Sequence, residues 1–542
     1  MTEPANQSPA PPFRLNWPWL LVGVAILFAV FVRARLLSMP LERDEGEYAY
    51  AGQLMLQGIP PYQLAYNMKL PGTYAAYAAI MAVFGQTAYG IHLGLLVVNV
   101  ICTLLMFLLG RRLFDATVGA VAAACYGVVS LSPTMLGLAA HATQFVVLPM
   151  LGGTLCMLFA KDNGRRVVFF ASGLLFGLAF VMKQQGVYFG IFGGVWLLWS
   201  GLKLQPVGWR RLAEQTGCYC LGCVLPYAAV CLVLWRAGVF GNFWFWTITY
   251  ARQYIDQVPW SDGLGLLGGE LSRLAAPHWP LALLALAGGL LLWWRRHARG
   301  KDWFLTLFFG FSALAVTPGH FFREHYFVLL VPAFSLLVGV AISFLSSYPA
   351  ARNLPRSLPV FLALVALVFA ACQQSRFFFA LSPQSVTRTI YGASPFIESV
   401  KVADYLREHS ANDARVFVFG SEPEIYFYAQ RHSASGFIYM YDLVENQPFA
   451  PQMQEQMERE IEAAKPEYLV LVKNYASWIV DTHSSMSVLE WGAHYSQANY
   501  DPVGAVDIIS PEETHYVWGE AAATYPFKSS SWILIFHRKP GA

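Results

Sequence analysis

The sequence predicts a polytopic α-helical membrane protein with about eleven transmembrane helices, followed by a small C-terminal α/β domain on the outer side. Three observations point there. Of 542 residues, 56% are hydrophobic and only 13% are charged, a balance that ordinary soluble domains do not show. Apolar runs near the ~20 residues needed to cross a bilayer recur from residue 17 to residue 373. From about Ser382 onward the composition turns mixed and polar.

The opening MTEPANQSPAPPFRLN is polar and Pro-rich and reads as a cytoplasmic tail, 1–16. The apolar run after it is longer than the core of a signal peptide, so it reads as a retained first span. The predicted spans are 17–37, 88–110, 114–131, 142–160, 167–182, 187–202, 213–235, 277–294, 303–318, 325–346 and 357–373. An odd number places the two ends on opposite faces. Lys and Arg in short loops favour the cytoplasm. Alternate connections carry Arg111 and Arg112; Lys161, Arg165 and Arg166; Lys203, Arg210 and Arg211; Arg295, Arg296, Arg299 and Lys301; and Arg352 and Arg356. The N-terminus is therefore expected inside, the membrane region to cover 17–381 with a first outer loop at 38–87, and the outer α/β domain to cover 382–542. Arg33 and Arg35, at the outer end of the first span, break the bias and read either as snorkelling side chains or as functional ones.

In the C-terminal region, ARVFVFG and PEYLVLV read as buried strands, and SPFIESVKVADYLREH and PQMQEQMEREIEAAK as amphipathic helices. No G-x-G-x-x-G follows a strand and no P-loop is present, so nothing marks a nucleotide site. A net charge of +3 implies no nucleic-acid partner. All eight cysteines lie between Cys102 and Cys372 in apolar segments, which gives no disulfide framework. Cys218, Cys220 and Cys223 lack a nearby His or carboxylate and read as packing residues. His320 and His325 do not form H-E-x-x-H, so a zinc protease has no support.

Polar side chains near hydrocarbon are costly unless paired or used. Here they collect in the outer connections: Asp44, Glu45, Glu47 and Lys69; His141 and Gln144; Lys183, Gln184 and Gln185; Arg252, Tyr254 and Asp256; and His320, Arg323, Glu324, His325 and Tyr326. In LERDEGEYAY, a short helix from Asp44 to Leu56 would carry Asp44, Glu45 and Glu47 in its first turn, ended by Gly58 and the following prolines. Acids there favour a helix N-terminus by ~0.3–1 kcal/mol each. That accounts for one acid and does not require three beside a membrane. The functional alternative is a general base with a neighbouring carboxylate that tunes it or binds a cation. Lys69 and Lys183 read as phosphate contacts or as headgroup anchors. Arg323 reads as a phosphate contact or as a charge neutralised by Glu324, and His141 as a ligand or as a packing residue.

RDEGEYAY in the first outer loop, KLPG before the second span, KQQG between later spans, REHYFVLLVPAFSLLVG near the end of the membrane region and FGSEPEIYFYAQRHSASGF in the outer domain together resemble the GT-C glycosyltransferases. That superfamily includes protein O-mannosyltransferases and lipid A aminoarabinose transferases. The resemblance implies a GT-C-like fold and transfer of a sugar from a polyprenyl-phosphate donor to a lipid, glycan or protein acceptor at the periplasmic face of a bacterial inner membrane. It also implies Asp44 as catalytic base or acceptor-binding acid, with Glu45 as its partner, and Lys69 near the donor phosphate. KLPG departs from the KPP form of aminoarabinose transferases, which leaves the donor sugar open. Around these, Glu47, His141, Lys183, Gln184, Arg323, His325 and Tyr326 are expected to bind substrate. The sequence does not require a cofactor; a divalent cation, Mg²⁺ or Mn²⁺, if one is used, would sit at Asp44 and Glu45. The competing readings are a lipid-linked sugar transporter or flippase, which would favour mid-membrane charges and repeated halves, and a non-catalytic scaffold.

Overall fold

Each of the eleven apolar runs carries a helix in the computed structural model, which describes residues 16–541 apart from 205, 256, 295–299, 348–354 and 356. The tail before residue 16, Asp256 and the loop arginines Arg295, Arg296, Arg299, Arg352 and Arg356 lie outside the described residues. Among the described residues, six segments are long and apolar enough to cross a membrane: Trp17–Arg35, Ala88–Leu113, Ala142–Asn163, Gln184–Leu204, Trp209–Arg236 and Trp260–Trp294. Shorter apolar helices include Ala116–Val129, Arg166–Met182, Val331–Ser347 and Leu358–Gln373. The first outer loop holds two further helices, Arg43–Leu56 and Gly72–Phe84.

Neither Arg33 nor Arg35 snorkels. Arg33 is buried and donates to Asn99 Oδ1 at 2.7 Å and to the Gly137 carbonyl at 2.8 Å. Arg35 donates to the carbonyls of Phe378 at 3.0 Å and Leu381 at 2.8 Å. The two arginines tie the outer end of the first helix to the 137–138 turn and to the start of the outer domain.

The outer domain contains one six-stranded sheet: β1 (Arg415–Phe419), β2 (His432–Ser433), β3 (Tyr468–Lys473), β4 (Tyr500–Ile508), β5 (Thr514–Trp518) and β6 (Trp532–Arg538), in the order β2-β1-β3-β6-β4-β5. The two sequence-predicted strands are β1 and β3, which pair in parallel inside the sheet. The helices expected from the sequence are Phe396–His409 and Ala450–Ala464. The remaining strands make the sheet mixed, because β6 runs antiparallel to both β3 and β4. β2 is only two residues long, and β4 carries Pro502 beside a register shift, features that blunt a strand pattern.

The two motifs RDEGEYAY and FGSEPEIYFYAQRHSASGF dock on each other. Arg43 Nε donates to the Ser421 carbonyl at 2.6 Å, and Arg43 Nη2 pairs with buried Glu422 at 3.2 Å. The Ser433 N–H donates to Tyr50 Oη at 2.8 Å, and the Leu41 N–H to Tyr428 Oη at 2.9 Å. Gly46 lies against helix Glu424–Ala429 so closely that a Cβ there would come within 2.6 Å of Glu424 N and Cβ. Backbone cannot retreat as a flexible side chain can, so Gly46→Ala is expected to cost ~1–3 kcal/mol by overpacking. Thermal unfolding of the variant in detergent micelles checks this; a melting temperature equal to that of the unmodified chain would contradict it.

Candidate active site

The four acids of the opening motif act as two pairs, each spaced three residues apart on one helix. Glu42 is the N-cap of helix Arg43–Leu56: its Oε1 accepts the Glu45 N–H at 2.9 Å, while Glu45 Oε2 accepts the Glu42 N–H at 3.3 Å. This is a reciprocal capping box with Glu in place of the usual hydroxyl. The Glu45 carboxylate, fully buried, also accepts from the Ala140 N–H at 2.6 Å and lies 3.0 Å from His92 Nε2. The second pair, Asp44 and Glu47, converges on Lys69 Nζ at 2.8 and 2.6 Å. Glu47 further accepts from Tyr74 Oη at 2.5 Å and Tyr439 Oη at 2.9 Å.

Lys69 is placed by its loop. Tyr62 Oη donates to the Lys69 carbonyl at 2.7 Å, and Gln184 Nε2 donates to the Met68 carbonyl at 2.7 Å. The next helix starts at Gly72, where a Cβ would meet the Val181 carbonyl oxygen at 2.4 Å, and Thr73 Oγ1 bonds the Met182 carbonyl at 2.7 Å. KLPG therefore leans on the end of helix Arg166–Met182, which delivers Lys183 and Gln184 to the same place. His141, at the N-cap of helix Ala142–Asn163, reaches Asp44 Oδ2 with its Nδ1 at 3.6 Å. Its ring stacks on His325 at 4.4 Å, and His325 Nε2 lies 3.3 Å from Lys183 Nζ. Lys183 also sits over the Tyr326 ring at 4.4 Å. The segment that brings these residues in bends sharply: His320 and Phe322 have φ of 55° and 45°, a left-handed conformation costly for non-glycine residues.

Charge is distributed unevenly over this cluster. Burial works against ionisation of Asp44, yet Lys69 and then His141 outweigh it and hold the carboxyl well below the usual range; Asp44 is also 22% exposed at its side chain. Burial pushes Glu47 up despite Lys69. Burial also raises Glu42; His141 opposes this and Asp44 adds to it, leaving Glu42 at about 7. Burial lowers Lys183, Asp44 opposes this and Lys69 and Arg323 reinforce it, leaving about 7. Burial, then Lys183 and His141, keep His325 well below the ordinary histidine range and so neutral. Two acids three residues apart are thus pushed in opposite directions.

The structure brings Asp44, Glu47, Lys69, His141, Lys183, His325 and Tyr326 together, with Gln184 supporting the Lys69 loop. Lys69, expected beside a donor phosphate, instead has its charge engaged by two carboxylates. Glu45 faces the His92 and Ala140 side, not the Lys69 cluster. Glu324 does not neutralise Arg323; it pairs with Arg273 at 3.3 Å. Arg323 is exposed, donates to Tyr254 Oη at 3.3 Å and lies over the Phe321 ring at 5.1 Å. Among the described residues, neither Lys183 nor Arg323 has a carboxylate within ion-pair distance. A metal-compatible group is present that keeps the expected Asp44 but has His141 and His325 in place of Glu45: donor atoms of the three lie within 4.8 Å of one another. Tyr74 and Tyr439 were not among the expected site residues. Tyr74 follows KLPG closely, whereas Tyr439 lies 392 residues from Glu47 and has no local sequence signal.

Residues 69–235 match the family model described as dolichyl-phosphate-mannose-protein mannosyltransferase. An undecaprenyl phosphate-alpha-4-amino-4-deoxy-L-arabinose arabinosyl transferase of Pseudomonas paraeruginosa is 28% identical over 302 residues, 52% of this chain and 52% of that protein. The match thus spans about half the length of the relative. ArnT from Cupriavidus metallidurans, solved bound to undecaprenyl phosphate, superposes with a TM-score of 0.55 at 17% identity, over 84% of this chain and 93% of that one. An Archaeoglobus fulgidus oligosaccharyltransferase tethered with an acceptor peptide gives 0.55 at 13% identity, over 96% and 76%. The archaeal protein has also been solved with Zn and sulfate, at a TM-score of 0.51 and 12% identity, over 94% and 74%. The chain has the GT-C fold. The match to the family model begins at Lys69, so the helix that carries Asp44 lies before it.

Removing the cation would leave Glu47 with only its two tyrosine donors and Asp44 with only His141. Lys69→Met is expected to destabilise the fold by ~3–5 kcal/mol near neutral pH. In the variant the Glu47 carboxyl, already raised by burial, rises further above its unfolded value, so its destabilisation grows as pH rises past the unfolded value and fades as pH falls. The gap in melting temperature between wild type and variant should therefore be wider at pH 8 than at pH 5. A gap that is constant or widens in acid would contradict this.

Proposed function

We propose that this chain is an integral-membrane glycosyltransferase of a bacterial inner membrane. It would move a sugar from a polyprenyl-phosphate donor to a hydroxyl or amine of a lipid, glycan or protein acceptor at the periplasmic face. The observation that carries this is one site in which an ionised, partly exposed Asp44 shares a cluster with Lys183, with Arg323 two residues before His325 on the adjoining segment, and in which neither Lys183 nor Arg323 has a carboxylate partner among the described residues. The names of the relatives, an arabinosyl transferase and a mannosyltransferase family acting from lipid phosphates, support the same reading.

Lys183 and Arg323 are assigned to the donor phosphate, which is already a leaving group. The acceptor O–H or N–H attacks the anomeric carbon, the bond from that carbon to the phosphate oxygen breaks, and the released negative charge stays on the phosphate against the two cations. One such preorganised contact is worth ~2.7–4 kcal/mol at the transition state. Asp44 orients the nucleophile and accepts its proton. A carboxylate held this low is a weak base, so it takes the proton late, when the acceptor has become acidic. Lys69 holds Asp44 in place, and Glu45, through the capping box, fixes the helix turn that presents it. A single displacement inverts the anomeric centre; a product of retained configuration would refute it.

Asp44, His141 and His325 fit a divalent cation. Both ring nitrogens of His141 are buried without a hydrogen-bond partner, and two imidazoles with one carboxylate suit Mn²⁺ or Zn²⁺ better than Mg²⁺. When bound, the ion would supply Lewis-acid polarisation beside Asp44. Purified protein stripped with chelator and reloaded with Mn²⁺ is expected to retain one ion per chain by elemental analysis, and His141→Ala to retain none. Equal loading of both would remove the site.

The activity is tested with protein in nanodiscs and undecaprenyl-phosphate-linked aminoarabinose as donor, with candidate acceptors present. Asp44→Asn should lose at least ~10²-fold in turnover while remaining folded, because Glu47 keeps its ion pair with Lys69, and Lys183→Ala should raise KM. If a broad panel of donors and acceptors gives no turnover, a transporter or a binding scaffold becomes the better account.

A further inference from the structure

We infer that Tyr441, on the outer domain, contacts the sugar in transit, and that the segment from Tyr439 to Glu445 forms the wall of the site facing away from the membrane. This rests on the glycosyl-transfer reading above.

The segment is pinned at both ends on the membrane region. At one end Tyr439 Oη donates to Glu47 at 2.9 Å, and Lys69 Nζ lies 5.6 Å from the Tyr439 ring centre. At the other, Asp442 Oδ1 accepts from Tyr250 Oη at 3.0 Å and Glu445 Oε2 accepts from Gln257 Nε2 at 3.1 Å. Tyr250 and Gln257 bracket Tyr254, the residue that receives the Arg323 hydrogen bond. The segment therefore stretches from the carboxylate and Lys69 side of the site to the Arg323 side. Tyr441 stands between the two anchors, with its ring 5.0 Å from that of Tyr439.

Its neighbours Tyr439 and Asp442 are buried and hydrogen-bonded, whereas Tyr441 is half-buried and, among the described residues, no group hydrogen-bonds its hydroxyl. Burial and then Asp442 raise its phenol well above the ordinary value, Lys69 opposes them and Asp44 adds to them, so the hydroxyl is a neutral donor within electrostatic reach of both catalytic-side charges. An aromatic face whose hydroxyl has no partner among the described residues, held on a segment anchored at both ends beside charged groups, suits an apolar ring face edged with hydroxyl or amine groups, which is what a pyranose offers. It has no cation of its own and so does not suit the phosphate.

Binding of two probes by nanodisc-embedded protein separates these roles: undecaprenyl phosphate, and undecaprenyl phosphate carrying 4-amino-4-deoxy-L-arabinose. Tyr441→Ala should weaken the sugar-bearing lipid by about threefold to tenfold and leave the sugar-free lipid within about twofold, at an unchanged melting temperature. Tyr441→Phe should fall between, because it keeps the face and loses the hydroxyl. If Tyr441→Ala binds both lipids as wild type does, or weakens both equally, the assignment of Tyr441 is overturned while the donor reading stands. If the wild type binds neither lipid, the donor reading falls and the inference with it.

Discussion

Lys69, gripped by Asp44 and Glu47 at 2.8 and 2.6 Å, is the interaction on which the rest of the site depends. Unpaired buried carboxylates take up protons, and an acid that is to remain ionised needs a cation delivered to it. The geometry around Lys69 reads as the solution to that requirement. Tyr62 and Gln184 hold its loop, Gly72 lets that loop approach the end of a membrane helix, and the same helix end presents Lys183. Ionising Asp44 and assembling the cation side of the site are thus one structural event.

The outer domain belongs to this arrangement and is not an appendage to it. Arg43 and Gly46, within the motif that carries Asp44, are the residues that meet Ser421, Glu422 and Glu424, so the acidic helix is clamped between membrane helices and the edge of the sheet domain. Tyr439 closes the hydrogen-bond set of Glu47 from that side. A helix carrying several acids next to a bilayer would otherwise keep its charge in water; here the buried members each have a specific donor, and Asp44 alone of the four keeps a substantial exposure. That contrast sets Asp44 apart from Glu42, Glu45 and Glu47.

Several readings of the sequence held because they rest on local physics. Apolar runs of membrane length form helices wherever they occur, since backbone groups in hydrocarbon must bond within their own segment. ARVFVFG and PEYLVLV are central strands because both of their faces are buried. His141, Lys183 and His325 stood out as polar side chains beside apolar runs, and they meet. Others did not carry over. The spacing from Glu42 to Glu45 is that of a capping box, but Glu seldom plays the N-cap part, so this role is not legible in the sequence. Arg33 binds the Asn99 side chain and the Gly137 carbonyl, and Arg35 binds carbonyls near residue 380, partners that no local pattern around these arginines specifies.

What the sequence by itself determined is set by spacing along the chain: the succession of membrane helices, the two central strands, and the concentration of acids, amides and cations in the outer connections. Only the tertiary structure decided which partner each charge has. Lys69 went to acids rather than standing free, Glu324 to Arg273 rather than to Arg323, and Glu47 to a tyrosine 392 residues away. The physical reason is range: hydrophobic periodicity is read over a few turns of one segment, whereas the energy of a buried charge depends on groups within a few ångströms that arrive from anywhere in the chain.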